Sequence, residues 1–129
     1  MAKDGTGSQP LARRSDVVSR IDDACRQAVA GKLAVRQLAR WADAFGLGEA
    51  DFRLLWTLFA DGGSGATAPD QAELAARLAV SAAQVSGGVE RLRVRRLIEP
   101  GASPGDRRRQ VWRLAGPGRL LVAEIIAAI

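Results

Sequence analysis

A mainly α (α+β) fold with a single two-stranded sheet is what this sequence predicts, and three observations predict it. Apolar residues recur at steps of three or four along most of the chain, the period of helices that bury one face. Two capping boxes, Asp70-x-x-Glu73 and Ser81-x-x-Gln84, open helices in quick succession, each reciprocally satisfying two backbone donors of a helix start. Only Leu97–Glu99 and Gln110–Leu114 have strand character, and the turn-rich stretch Pro100–Gly105 lies between them, as in a hairpin. A chain of 129 residues with 47% hydrophobic content can bury a core but fits one domain.

The elements follow in order. Residues 1–14, MAKDGTGSQPLARR, are polar and Gly/Pro-containing and read as a disordered tail before a domain spanning 15–129. Ser15 is an N-cap with Asp16 in the first turn. The stripe Val18, Ile21, Cys25, Ala28, Val35, Leu38, Trp41/Ala42 and Phe45 then makes one long helix that bends or breaks near Gly31. Cys25 lies on this stripe and is expected to be a small core residue. Gly46-Leu47-Gly48 ends the helix. Phe52, Leu55, Trp56 and Phe59 place a second helix over Glu49–Ala60, and Asp61–Pro69 is a flexible loop by composition. Asp70 starts a short helix that buries Leu74, Ala75 and Leu78. After the turn Ala79-Val80, Ser81 starts another that buries Val85, Val89 and Leu92. Two capped helices joined by a tight turn are a helix-turn-helix. With the two strands, the loop between them and a last helix after the break Gly116-Pro117-Gly118, the order is a winged helix-turn-helix with a two-stranded wing and flanking dimerisation helices.

Charge points to a partner. Between Glu90 and Arg113 stand eight arginines against Glu90, Glu99 and Asp106, so this segment carries the whole of the chain's formal net charge of +5. One arginine-dense face on a neutral body suits a polyanion, most often nucleic acid. The fold puts Arg91 and Arg95 along the second helix of the motif and Arg107, Arg108 and Arg109 on the wing, two surfaces that one duplex touches together. Chemistry of other kinds is poorly provided for. There is no histidine and only one cysteine, which removes the usual proton shuttle, the commonest zinc ligand and a Cys–His nucleophile. No enzyme, metal or cofactor is expected. No apolar run approaches bilayer length and no signal peptide is evident, so a cytoplasmic protein is expected.

The run from Gly46-Leu47 through Asp51-Phe52, Gln71-Ala-Glu-Leu-Ala75, Leu78-Ala-Val-Ser81, Arg91-Leu92, Leu97-Ile98 and Asp106-Arg-Arg108 resembles the MarR family of bacterial transcription regulators over roughly residues 15 to 126. This resemblance implies a homodimer on a pseudo-palindromic operator, with the helix beginning at Ser81 in the major groove. It also implies that Arg108 enters the minor groove, held by Asp106, and that a small molecule releases the DNA. Guanidinium suits the negative potential of a narrow minor groove. The expected DNA contacts are Ser81, Ala82, Gln84, Ser86, Arg91, Arg95, Asp106, Arg107, Arg108 and Arg109. Trp41 and Phe45 fall where the family's effector pocket lies, and Trp112 is expected to pack the base of the wing. The chain departs from the family pattern at Gly87-Gly88, at Arg96 in place of a left-handed glycine, at Gly48 in place of a threonine cap, and in a last helix that stops at Ile129. The apolar stretch Leu120–Ile129 is expected to join the first helix in a homodimer interface. The reading is a double-stranded DNA-binding repressor; the alternative is a winged-helix protein-interaction module with weak, non-specific DNA binding.

Overall fold

A computed structural model describes residues 8–64, 67–103, 105 and 108–129. They form α1 (Ser8–Asp43), α2 (Glu49–Ser64), α3 (Gln71–Leu78), α4 (Ala82–Val94), β1 (Ile98–Gly101), β2 (Val111–Leu114) and α5 (Gly116–Ala128). This is the element order of the winged helix-turn-helix that the sequence predicts. Contacts divide the chain into two units, Met1–Gln37 and Leu38–Ile129.

In the first unit, α1 begins at Ser8, well before the Ser15 cap, so residues 8–14 are helical rather than tail. Pro10 falls in the first turn, where its missing N–H has no intrahelical partner to lose. Leu11, Ala12, Arg13 and Arg14 are all good helix formers. The helix also runs unbroken through Gly31; one glycine among alanines, valines and a leucine costs only about 1 kcal/mol. Every residue from Pro10 to Arg36 is exposed. Cys25 is therefore exposed and not a core residue, as are Val18 and Ile21. A unit consisting of one helix has no second element of its own against which to bury a stripe.

The second unit holds the core, organised around α2, which packs against α3, α4, β2 and α5. Leu54, Leu55, Leu74, Leu92, Val111 and Val122 are the largest side chains buried completely. α2 continues past Ala60 to Ser64 despite its glycines, because Asp61, buried near its end, is ion-paired to Arg77 of α3. Both capping boxes form: Asp70 and Glu73 close on each other at the start of α3, Ser81 and Gln84 at the start of α4. α5 starts at Gly116, so Gly116-Pro117-Gly118 is its first turn rather than a break before it; proline is well suited to that position. Gly118 is required there, since a Cβ would lie 2.0 Å from the Leu97 carbonyl oxygen.

Three helices of the chain end in the same way, through a left-handed residue. At Gly46, Ala79 and Arg96, φ is 69°, 54° and 63°. Each is followed by a residue whose N–H reaches back five positions, Leu47 to Ala42, Val80 to Ala75 and Leu97 to Leu92, the Schellman pattern. Only the first uses glycine. Arg96 stands where its side chain costs about 1–2 kcal/mol of backbone strain, and the buried Leu92–Leu97 pair beneath it holds the turn.

The antiparallel sheet pairs Ile98 with Leu114, Glu99 with Arg113, Pro100 with Trp112 and Gly101 with Val111. Asp70 bridges to Val111, and the Trp112 backbone N–H donates to the Pro69 carbonyl at 3.0 Å. Trp112 is buried at this junction, as expected for a residue packing the base of the wing.

Candidate nucleic-acid interface

The geometry of α4 follows from which of its faces is filled. Val85, Gly88, Val89 and Leu92 point into the core, while Ala82, Ala83, Ser86 and Glu90 are exposed. Gly88 is therefore not a reading position left empty. A Cβ there would meet Asp51 Oδ1 at 3.0 Å and a Leu54 methyl at 3.2 Å, so the glycine lets α4 lie close on α2. At the helix start, the Ser81 hydroxyl accepts from the Gln84 N–H at 3.1 Å and the Gln84 side-chain oxygen accepts from the Ser81 N–H at 2.9 Å. Both side chains are exposed, yet both are committed to the cap; Gln84 retains its amide NH2 as an outward donor. Ala82 and Ser86 remain on the outer face of the first turns. Glu90, one turn beyond Ser86, was not among the expected contacts. It is bound by Arg93 at 2.7 and 3.0 Å, and that hydrogen bond holds its carboxyl below the usual carboxylate range.

Several of the described arginines are ion-paired. Arg91 gives both Nε and Nη2 to Asp51, at 2.7 and 2.9 Å, a bidentate clamp between α4 and α2, and this hydrogen bond raises the guanidinium's pKa further. Arg113 lies 3.5 Å from Glu99 across the sheet. Arg109 donates through Nε to Asp70 at 2.8 Å and is also paired with Glu73. Arg91, Arg93, Arg109 and Arg113 thus each have a carboxylate partner; Glu90 and Glu99 are already counted in the segment's charge, whereas Asp51, Asp70 and Glu73 bring negative charge to it from other elements. Arg91 and Arg109, both among the expected DNA contacts, also link α4 to α2 and the base of the wing to α3. Arg95 is exposed at the end of α4 and donates to the Gly46 carbonyl at 3.1 Å. Arg96 and Arg108 are exposed as well. Asp106 and Arg107 lie outside the described residues, and with them the expected Asp106–Arg108 contact.

Exposed α4 side chains and exposed arginines beside a two-stranded wing are one arrangement, and residues 45–109 match the family model for MarR regulators. The chain belongs to the MarR family. Among solved structures, wild-type MarR of E. coli in its apo form is 18% identical, covering 79% of this chain and 72% of that one with a TM-score of 0.69. BldR of Sulfolobus solfataricus is 17% identical, covering 84% and 75%, also with a TM-score of 0.69. A MepR mutant of S. aureus bound to oligodeoxyribonucleotide is 17% identical, covering 82% and 74%, with a TM-score of 0.62. No curated protein sequence matches the chain.

An open, mainly apolar cavity of about 670 Å3 is lined by Leu38, Trp41, Phe52, Trp56, Ile125 and Ile129, with Arg53 and Arg77 also in its wall. Trp41 is among the lining residues, whereas Phe45 is not and packs beside the core. The two arginines were missed because their position depends on how α2 and α3 pack. Arg53 donates to Glu49 and, at 3.1 Å, to the Leu78 carbonyl, and Arg77 donates to Asp61. Among the described residues, no helix is long and apolar enough to cross a membrane.

Proposed function

We propose that this MarR-family chain is a cytoplasmic, non-enzymatic transcription regulator that binds double-stranded DNA as a homodimer and acts as a repressor. The observation that carries the reading is the outer face of α4. Ala82, Gln84 and Ser86 follow a satisfied N-cap, and Arg95 stands at the far end. A helix of this kind fits a major groove, reading bases with short side chains and phosphates with arginine. Arg108 supplies the wing contact. The MepR structure bound to oligodeoxyribonucleotide supports DNA as the partner for this fold. The exposed apolar residues of α1, with Leu120, Ile126 and Ile129 of α5, favour a dimer built from the terminal helices. The cavity suits a small, largely apolar effector, one whose polar group competes for Arg53 or Arg77.

The test is titration of the protein onto its own upstream intergenic DNA and onto a scrambled duplex, at low and at physiological salt. Tighter binding to the native duplex that survives physiological salt is expected. Arg108→Ala should then lose about 1–3 kcal/mol and flatten the salt dependence. Pairing of Arg91, Arg93, Arg109 and Arg113 with carboxylates favours a second reading, a winged-helix interaction module with weak, non-specific DNA binding. Equal binding to both duplexes, abolished at physiological salt, selects it.

A further inference from the structure

Arg91 and Gly87 lie one turn apart on α4 and share one space. Long side chains on a helix lean back over the preceding turn, and that turn is bare here. A Cβ on Gly87 would lie 3.2 Å from Arg91 Nη1 and 3.9 Å from its Cζ and Nη2. The guanidinium therefore rests over the backbone of residue 87, directly after the exposed Ser86. It takes the room that a side chain at 87 would fill. Gly87 departs from the family pattern in sequence, and in the structure the Arg91 side chain covers it.

Asp51 fixes how that guanidinium is turned. Its carboxylate accepts from Nε at 2.7 Å and from Nη2 at 2.9 Å, a bidentate contact that holds a planar fork in one orientation. The anchor is firm, since Asp51 is buried on α2 and α2 packs against α3, α4, β2 and α5. The Arg91 side chain is nevertheless 60% exposed. Asp51 occupies one edge of the guanidinium and leaves the other, Nη1 with the second hydrogen of Nη2.

This pairing acts oppositely on the two things an arginine offers a nucleic acid. It offsets the positive charge, so Arg91 adds little to the sequence-independent attraction of phosphates. It also fixes the direction of the remaining N–H groups, which suits a target with acceptors at set positions. On the major-groove edge only guanine presents two neighbouring acceptors, N7 and O6. Adenine and cytosine carry an amino donor there, and thymine a methyl group beside its one acceptor.

We propose that Arg91, turned by Asp51 and given room by Gly87, reads guanine in the major groove, with Asp51 and Gly87 as positioning residues that set specificity. The proposal rests on the DNA-binding reading and adds the base that α4 selects.

The full chain and its variants are each used to select duplexes from a randomised pool at physiological salt. Wild type should select a site with a fixed guanine that Arg91→Lys no longer requires, the other positions being kept, because lysine retains the charge and lacks the fork. Gly87→Leu, which fills the space, should relax the same guanine. Asp51→Asn removes a negative charge beside α4, so charge alone makes it bind every duplex more tightly. It should instead bind the wild-type site about tenfold more weakly, while binding to a scrambled duplex at low salt stays equal or tightens. Thermal unfolding checks each variant; if Asp51→Asn is unfolded, Arg91→Lys decides, its side chain being largely exposed. Retention of every fixed position by Arg91→Lys overturns the proposal. So does an equal change on both duplexes with Asp51→Asn, the mark of a purely structural clamp. A wild type that selects no sequence removes the DNA-binding reading and this proposal together.

Discussion

From Pro10 to Arg36 the chain is helical and buries nothing, whereas Leu38–Ile129 encloses the core, with Leu74 and Leu92 fully removed from solvent. The two stretches are built from similar residues. What differs is whether a second element lies opposite. Helix propensity alone leaves an isolated helix marginal in water, and packing supplies most of the stability. The second unit carries its own packing, whereas residues 10–36 of the first are exposed throughout.

The contrast can be broken by matched substitutions. Leu92→Ala should lower the stability of the second unit by about 2–5 kcal/mol through lost burial and a cavity. Ile21→Ala should leave that unit within about 0.5 kcal/mol of wild type, as a surface change does. Urea unfolding followed by tryptophan fluorescence separates them, because Trp41, Trp56 and Trp112 all lie in the second unit. Equal losses would show that the units unfold as one.

Glycine gives a second matched pair. Gly118→Ala forces a methyl onto the Leu97 carbonyl and should cost about 1–3 kcal/mol or more, the range of overpacking. Gly31→Ala meets nothing within 4 Å in the single chain and should raise the helicity of α1, by about 1 kcal/mol of propensity. Far-UV circular dichroism reads the second and thermal unfolding the first.

Smaller and of opposite sign is Arg96→Gly. Relief of the left-handed backbone should exceed the entropy that glycine adds to the unfolded chain, a net gain of about 0.5–1 kcal/mol, seen as a raised urea midpoint. A loss instead would show that the arginine side chain holds the turn.

The smallest effect concerns pH. The Arg93 hydrogen bond holds the Glu90 carboxyl below the ordinary carboxylate range. A depressed folded value means that the contribution is complete above that range and is lost as pH falls through the folded value. In an NMR titration Glu90 should protonate at lower pH in wild type than in Arg93→Ala. Coincident midpoints would remove the pair from α4.

What could be read from the chain was what neighbouring residues decide. The capping boxes at Asp70 and Ser81, the turn at Ala79-Val80 and the buried positions of α4 are local, set within a few residues. The stripe on α1 was legible too, but periodicity reads the same whether the covering surface belongs to the same chain or to another. Cys25 was therefore placed in a core that the chain alone does not build. The candidate DNA surface was legible as an arginine-dense segment. Its ion pairing was not, because Arg91 meets Asp51 and Arg109 meets Asp70 across long sequence separations. Gly88, a departure from the family pattern in sequence, is accounted for by Asp51 and Leu54 packed against it.

Asp70 joins three things: it caps α3, binds Arg109, and bridges its backbone to Val111. The root of the wing is thereby locked to the helix-turn-helix, like a calliper with its screw tightened. A gripper of fixed span does not adjust to its object. On the proposed DNA-binding reading, the protein would select sequences whose grooves already stand at that spacing, or bend to it at little cost. Bases that no side chain touches then matter through the stiffness of the DNA.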